Sequence, residues 1–212
     1  MNRMIIRNEQ EKDHRVVEEV TREAFWNLYT PGCDEHYLVH LIRKSPDFIP
    51  ELAFVAELDN RVVGSIFFTR SYIIDKDDAR HDTITFGPIS VLPEFHRQGI
   101  GSALIEHAKE AAARQGHKAI LIYGYPGYYK RFGFLHAKAF GIGNPEGKYP
   151  LAHMVLELYE GALNGISGKA YESEIFQINE RASQEYDDLF EPKVKEVLPS
   201  QKIFEQTASS FL

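Results

Sequence analysis

Hydrophobic positions along the chain follow two periods, and the change from one to the other predicts where helices and strands lie. Residues 4–7 form a short apolar run typical of a strand. Apolar residues then recur at helical spacing up to residue 27, which predicts a helix with Asp13 as its N-cap. A Thr-Pro-Gly break at residues 30–32 ends this helix, and a second one is predicted over residues 34–44.

Three strands are predicted in the next segment. Residues 52–58 and 61–74 are strand-like runs on either side of an Asp-Asn pair at 59–60, which predicts a β-hairpin. Residues 83–91 give the next strand, but Gly87 and Pro88 interrupt it. Since proline cannot donate a hydrogen bond to a neighbouring strand, this pair predicts a bulge or a splay.

The second half of the chain continues the alternation. The predicted elements are a helix over residues 99–115, a buried strand over 118–124, one helical turn over 128–132, a strand over 153–158 and a polar helix over 179–190. No internal repeat, low-complexity tract or linker is present. We therefore expect one domain over residues 1–212, with a core at about 3–160 and a C-terminal embellishment at about 161–212.

Composition and charge narrow the class of protein. With 43% hydrophobic and 26% charged residues, the 212-residue chain is in the range of soluble globular proteins. Its formal charge of −7 argues against a general nucleic-acid binder, because attraction to phosphates needs a basic surface. One cysteine, Cys33, excludes an intrachain disulfide, and neither a signal peptide nor a run of about 20 apolar residues is present. We expect a cytoplasmic protein that binds neither nucleic acid nor membrane.

The most informative segment is the turn at residues 91–102, where a predicted strand leads into a helix that begins on Gly99 and Gly101. The first amides of a helix have no internal partner and lie at the positive end of its dipole. Glycines there allow a phosphate or pyrophosphate to approach the backbone, and Arg97 adds a cation. A glycine-rich turn with no ligand is the alternative. A dinucleotide fingerprint would need a glycine where Leu104 stands, and no Gly-Lys-Ser/Thr tripeptide of a P-loop is present.

Two motifs in this order resemble a known family. Val-x-Pro-Glu-Phe followed by Gly-Ile-Gly-Ser-Ala-Leu-Ile, over residues 91–105, resembles the acetyl-CoA-binding signature of the GNAT superfamily of N-acetyltransferases. Residues 128–134, Tyr-Tyr-Lys-Arg-Phe-Gly-Phe, resemble the same family's Tyr-x-x-x-Gly-Phe motif and are most similar to a poorly characterised bacterial branch. The resemblance covers about residues 3–160. It implies an α/β (α+β) fold whose central mixed, mostly antiparallel sheet is splayed at the fourth strand, with helices on both faces.

The resemblance also implies where acetyl-CoA, the expected cosubstrate, would bind. Amides that would surround its pyrophosphate belong to Arg97, Gln98, Gly99, Ile100, Gly101 and Ser102. The main chain of Ile89, Ser90 and Val91 would pair with the pantetheine arm as an additional strand would. His96 departs from the family pattern, which usually has Gln or Arg at this position, and it predicts weaker or pH-dependent cofactor binding at worst.

Tyr129 aligns with the family's general acid, which would assist the departing thiolate. Transfer of a proton from a phenol of pKa near 10 to a thiolate whose thiol has a pKa of about 8.5 costs roughly 2 kcal/mol of free energy. Tyr129 would therefore act first as a hydrogen-bond donor. A core aromatic residue is the structural alternative. The general base stays open: Tyr123 stands where a glutamate often does. Glu51, Tyr125 and His40 are candidates by position alone.

Cys33, His36 and His40 have a spacing that suggests a metal site, but a zinc site needs further ligands that the sequence does not indicate, so no metal is predicted. Cys33 lies far from both motifs in sequence, which favours direct attack in a ternary complex over an acyl-cysteine intermediate.

The expected function is transfer of acetyl from acetyl-CoA to a primary amine, on a small molecule or a peptide. A non-catalytic acetyl-CoA sensor or interaction module is the alternative, and a homodimer stays open.

Overall fold

A computed structural model describes residues 4–208 and 210–212. Its helices are α1 (His14–Phe25), α2 (Glu35–Ile42), α3 (Ile100–Arg114), the short α4 (Pro126–Tyr129), α5 (Glu180–Asp187) and α6 (Pro199–Ala208). Its strands are β1 (Met4–Asn8), β2 (Phe54–Leu58), β3 (Arg61–Asp75), β4 (Arg80–Val91), β5 (Ala119–Tyr123), β6 (Leu135–His136), β7 (Ile142–Gly143), β8 (His153–Glu157) and β9 (Gly168–Tyr171). Short 3-10 turns connect several of them.

The described strands form one sheet in the order β1-β2-β3-β4-β5-β8-β6, and β9 pairs with both β3 and β7. The β4–β5 and β7–β9 pairs are parallel and the others are antiparallel. This confirms the predicted mixed, mostly antiparallel sheet.

Helices cover both faces of the sheet, as predicted. On one face, the Ser90 hydroxyl of β4 donates a hydrogen bond to Thr21 of α1, over 3.0 Å. On the other face, a Cβ atom at Gly64 of β3 would lie 3.3 Å from Leu104 and 3.4 Å from Ile100, both of α3. The sheet is therefore enclosed between α1 and α3, and Leu104 is fully buried.

Strand β4 contains the predicted irregularity. Its ladder with β3 pairs Ile66 with Ile89 but Phe68 with Phe86, so β4 has one extra residue between these pairs, at Gly87–Pro88. The parallel ladder between β4 and β5 is short, with Ile84 opposite Ile120 and Thr85 opposite Leu121. Beyond the second pair the two strands separate, and β4 continues to Val91 without a partner from β5. The splay predicted at this strand is confirmed.

Several local details differ from the sequence prediction: β4 begins at Arg80, three residues early, and the two-residue strands β6 and β7 were not predicted. The strand predicted from residue 52 begins at Phe54, because Pro50–Leu52 form a 3-10 turn. Asp13 precedes α1, as predicted, but its carboxylate makes no capping bond to that helix. It instead accepts a 2.6 Å hydrogen bond from Arg7, and this ion pair lowers the pKa of Asp13.

Two elements of the C-terminal segment, β9 and α6, are absent from the sequence prediction. Strand β9 hydrogen-bonds along β3, where Tyr171 lies opposite Tyr72 with ring centres 5.2 Å apart. Helix α5 is attached to α1 by an ion pair between Asp187 and Arg22, 2.6 Å long and buried from solvent. The Arg22 guanidinium also lies 4.3 Å above the Trp26 ring. The division into a core and an embellishment stays a prediction.

Within the described residues, no helix is both long enough and apolar enough to cross a membrane.

The Arg22–Asp187 pair gives a test of how the C-terminal segment contributes to stability. Asp187→Ala would leave the Arg22 guanidinium buried without its carboxylate, and we expect a loss of about 3–5 kcal/mol in the free energy of unfolding. The control is Arg181→Ala on the same helix, where Arg181 pairs with Glu185 at the surface and is 88% exposed. That pair should contribute less than about 1 kcal/mol. Urea denaturation measures both, and equal losses would contradict the assignment.

Candidate active site

The separation of β4 from β5 opens into a large cleft with a volume of about 1250 Å³. Its walls come from the C-terminal end of α1, the end of β4, the loop and first turn of α3, α4, and three residues near the C-terminus, Ser200, Phe204 and Phe211. The cleft therefore joins an incomplete sheet edge to a helix N-terminus.

The loop before α3 has the conformation that its glycines predict. Gly99, the N-cap of α3, is left-handed with φ of 84°, and Arg97 is left-handed with φ of 61°. A Cβ atom at Gly101 would lie only 3.2 Å from the Tyr128 hydroxyl, so glycine keeps space open in front of the helix amides. Those first amides have no acceptor within the helix and can bind an anion.

Most of the predicted loop residues reach the cleft. Arg97, Gly99, Ile100, Gly101 and Ser102 all line it. The Gln98 side chain instead donates a 3.1 Å hydrogen bond back to the Glu94 carbonyl, which stabilises the turn.

Arg131 is a cleft residue that the sequence analysis missed. Its guanidinium lies 4.1 Å above the Tyr128 ring, and its Nη2 is 3.4 Å from the Ser102 hydroxyl at the start of α3. Arg97 and Arg131 therefore place two cations beside a helix N-terminus, an arrangement suited to a pyrophosphate. The signal was available, because Arg131 follows Tyr128 by three residues in the second motif.

The free edge of β4 presents alternate residues. Leu92 donates its N–H to Val63 of β3, over 2.9 Å, so the backbone groups two residues earlier, at Ser90, also face β3. The groups of Ile89 and Val91 face the gap, and both residues line the cleft. His96 already contacts one of them, because its Nε2 lies 2.9 Å from the Val91 carbonyl oxygen. Among the residues that the structure describes, the groups at this edge without a hydrogen-bond partner are therefore those of Ile89 and the N–H of Val91.

Tyr129, at the end of α4, lies on the cleft wall. Its ring packs against Phe86 and Phe134, with centres 5.8 and 5.7 Å apart. A Cβ atom at Gly124 would overlap the Tyr129 ring, so the ring occupies space that only glycine leaves free. Burial, with smaller effects of Tyr29 and Tyr128, raises the pKa of Tyr129 above its usual range. The phenol therefore keeps its proton and can donate a hydrogen bond.

A carboxylate that the sequence analysis missed, Glu35, lies on the cleft wall at the start of α2. Burial raises the pKa of Glu35 to about 7. The hydrogen bond that its carboxylate accepts from the Asp34 N–H acts in the opposite direction and lowers this pKa. Tyr29, also on the wall, has its pKa raised by burial and by Glu35. No motif marks either residue, because both precede the recognisable segments in the sequence.

The bases proposed from sequence position lie in different places. Tyr125 lines the cleft and is 66% exposed. His40 and Glu51 do not line it. The His40 Nδ1 contacts Glu18 at 3.2 Å and the Tyr186 hydroxyl at 3.0 Å, and Glu51 is exposed at a 3-10 turn.

Tyr123 lines the cleft at the end of β5 and stacks on His153 of β8, with ring centres 4.7 Å apart. His153 is fully buried, and neither ring nitrogen has a hydrogen-bond partner among the described residues. Burial, with a smaller effect of His136, lowers the pKa of His153 to about 4. His153 is therefore neutral near pH 7.

Cys33 and His36 form a buried contact outside the cleft. The Cys33 sulfur is 3.5 Å from His36 Nδ1, and His36 Nε2 is 3.2 Å from Asp187. Burial raises the pKa of the Cys33 thiol far above its usual range. The contacts among Cys33, His36 and Asp187 therefore do not produce a reactive thiolate. No group of three or more His, Cys, Asp or Glu side chains in residues 4–208 and 210–212 has metal-binding geometry.

Comparison with known proteins agrees with the geometry. Residues 50–135 match the family model described as the acetyltransferase (GNAT) domain. An E. coli K12 protein, the uncharacterised N-acetyltransferase YjhQ, is 32% identical over 85 residues, which are 40% of this chain and 46% of that protein. The alignments cover less than half the length of the curated relatives that the chain matches.

Two crystal structures of similar chains contain bound ligands. The GNAT family N-acetyltransferase YhbS from Escherichia coli, in complex with CoA, is 25% identical with a TM-score of 0.74, covering 84% of this chain and 94% of that one. A GNAT family acetyltransferase from Brucella melitensis, in complex with acetyl-CoA, is 26% identical with a TM-score of 0.66, covering 83% and 99%. These matches confirm the family resemblance seen in the sequence.

The buried His153 predicts a pH dependence of stability. Its pKa is about 4 in the folded chain and 6.5 without burial, so between these values the unfolded chain binds more protons. Stability should therefore fall as pH decreases from 6.5 to 4, by up to about 1.4 kcal/mol per pH unit from this residue. His153→Phe keeps the stack on Tyr123 and removes the imidazole, so its free energy of unfolding should depend less on pH.

Urea denaturation at pH 6.5, 5.5 and 4.5 measures this effect. Met154→Leu, a volume-conserving change at the neighbouring buried residue of β8, is the control and should keep the wild-type dependence on pH. Parallel curves for wild type and His153→Phe would contradict the prediction.

Proposed function

We propose that this chain transfers the acetyl group of acetyl-CoA to a primary amine, since residues 50–135 match the acetyltransferase (GNAT) domain and the fold is similar to that of a GNAT family N-acetyltransferase. The observation that carries this proposal is the meeting of the open β4 edge with the N-terminus of α3 in one cleft. A pyrophosphate and an extended pantetheine arm need these two features side by side. The CoA and acetyl-CoA complexes of the two structurally similar proteins support the choice of cosubstrate.

The pyrophosphate would lie at the loop of residues 97–102, where helix amides provide donors. Arg97 and Arg131 would supply positive charge. Because the Gln98 side chain turns back to Glu94, only its amide remains available in this role.

The pantetheine arm would run along β4, bonding to the backbone of Ile89 and the N–H of Val91. Ser90 would hold the strand in place through β3 and Thr21. A backbone N–H at this edge would also stabilise the negative charge that develops on the thioester carbonyl oxygen.

The reaction joins the amine nitrogen to the thioester carbonyl carbon as the carbon–sulfur bond breaks. The neutral amine supplies the electron pair, and CoA leaves as a thiolate that takes up a proton. Tyr129 would donate a hydrogen bond to that sulfur, since its raised pKa makes it a poor source of a free proton. A non-catalytic acetyl-CoA sensor would bind the same cosubstrate and form no amide.

Gly101→Val tests the pyrophosphate position. A branched side chain 3.2 Å from Tyr128 would cover the helix amides, so CoA affinity should fall at least about tenfold while the chain stays folded. Ala113→Val, which introduces the same side chain at an exposed position on the same helix, is the control. Calorimetric titration with CoA gives the dissociation constants, and unchanged affinity in folded Gly101→Val would place the pyrophosphate elsewhere.

Tyr129→Phe tests the hydrogen bond to the leaving group. Turnover should fall about ten- to a thousandfold while the dissociation constant of CoA stays constant, because the hydroxyl acts as charge develops. Tyr72→Phe removes a hydroxyl from β3 away from the cleft and should change neither quantity. The measurement is single-turnover kinetics with an accepted amine, where wild-type rates for Tyr129→Phe would remove the residue from the mechanism.

A further inference from the structure

The two ends of the cleft differ in chemistry. The end at α3 has helix amides, His96, Arg97 and Arg131, and suits an anion. The other part of the lining is mainly aromatic and consists of Phe25 at the end of α1, Tyr29 in the turn that follows, Tyr125, and Phe204 and Phe211 of the C-terminal segment. The proposed function assigns the first end to the cosubstrate and leaves the second for the acceptor.

The aromatic end is built around Tyr29. Phe204 of α6 stacks on its ring, with centres 4.1 Å apart and planes 27° from parallel. Phe25 packs on Tyr29 at 5.8 Å. Phe204, Tyr125 and Phe211 are each more than 40% exposed, although they line a concave cleft. These open ring faces can receive a flat apolar group or a cation.

Glu35 is the one carboxylate among the described residues that line the cleft. It accepts a 3.1 Å hydrogen bond from the Asp34 N–H, and no described Lys, Arg or His side chain forms an ion pair with it. Its surroundings raise its pKa to about 7 through burial. Since a desolvated carboxylate is stabilised by an opposite charge, this wall is suited to a single ammonium group.

Glu35 lines the same cleft as Tyr29 and Tyr129. Burial is the main cause of the raised pKa of both tyrosines, and Glu35 contributes to the shift of Tyr29, as Tyr29 does to that of Tyr129. The carboxylate and the hydroxyl assigned to the leaving sulfur are therefore both walls of one cleft.

Resting on the function proposed above, we propose that the acceptor is a small primary amine with one positive charge and an aromatic body. Its ammonium group would lie at Glu35, and its ring would lie among Tyr29, Tyr125 and Phe204. A polyamine or an aminoglycoside would bring further cations to a wall with a single carboxylate, which leaves them desolvated without partners. Ser200, Phe204 and Phe211 of the C-terminal segment also line the cleft, and we expect them to leave less room for a folded protein than for a small amine.

The assignment includes a proton transfer. One N–H proton of the bound ammonium passes to the Glu35 carboxylate, which leaves the nitrogen lone pair free. That nitrogen then bonds to the acetyl carbon, the carbon–sulfur bond breaks, and the thiolate departs. The amide nitrogen loses a second proton, which balances the one that the CoA thiolate takes up.

A comparison of amines tests the acceptor class. With saturating acetyl-CoA, kcat/KM for 2-phenylethylamine should exceed that for putrescine and for a lysine-containing peptide at least about tenfold, the size of one desolvated ring contact. Preference for putrescine or the peptide would overturn the acceptor class and leave acetyl transfer standing. CoA binding without acetylation of any amine would instead overturn the proposed function.

Glu35→Gln separates recognition of charge from packing. It should lower kcat/KM for 2-phenylethylamine about ten- to a hundredfold and leave the dissociation constant of CoA unchanged. For the wild type, kcat/KM should rise with pH through an inflection near 7, because Glu35 ionises there. The pH profile of the variant should lack this inflection. Glu110→Gln, an exposed carboxylate on α3, is the control. Wild-type kinetics and an unchanged pH profile for Glu35→Gln would overturn the role of Glu35.

Phe204→Leu tests the aromatic wall without opening a large cavity. The variant should lose most of its preference for 2-phenylethylamine over a straight-chain amine such as hexylamine, because leucine keeps apolar volume but offers no ring face. Leu189→Ala, at an exposed position in the same C-terminal segment, should keep the preference. An unchanged preference in Phe204→Leu would overturn the placement of the ring.

Discussion

The separation of β4 from β5 beyond Thr85 and Leu121 determines what the rest of the molecule can do. A strand edge inside a protein must give its hydrogen-bonding groups a partner, and here the neighbouring strand turns away after two residue pairs. The extra residue at Gly87–Pro88 redirects β4 and leaves Ile89 and Val91 facing the gap. Because the loop that follows this edge leads into α3, the open strand edge and the first amides of the helix line the same cleft.

The C-terminal segment links stability to the shape of the cleft. Strand β9 extends the sheet along β3, and the buried Arg22–Asp187 pair holds α5 against α1. Helix α6 then places Phe204 on Tyr29, in the turn that follows the same helix α1. Tyr29 and Phe204, which we propose to select the acceptor, are thus held in place by contacts between the N-terminal and the C-terminal parts of the chain.

Sequence patterns predicted the features that depend on local rules. Gly99 and Gly101 indicate a helix start that an anion can approach, and Gly87–Pro88 indicates an irregular strand. Both could be predicted because local backbone conformation alone requires these residue types. Glu35 could not be found in this way. Its role depends on burial and on its place in the cleft wall, and both arise only when α1 and α2 pack together. The direction of the Ser90 backbone similarly depends on pairing with β3, which no local pattern encodes.

The contact between Gly124 and the Tyr129 ring has a consequence for how substitutions would be tolerated. Gly124 offers no group to a substrate, yet the smallest side chain there would overlap the Tyr129 ring. A saturation scan should therefore find that position 124 tolerates fewer substitutions than most positions of the cleft. Positions 124 and 129 should also covary among related sequences, since a smaller residue at 129 would relieve the overlap. The intolerance of position 124 would reflect the space that the Tyr129 ring occupies, and not a contact with substrate.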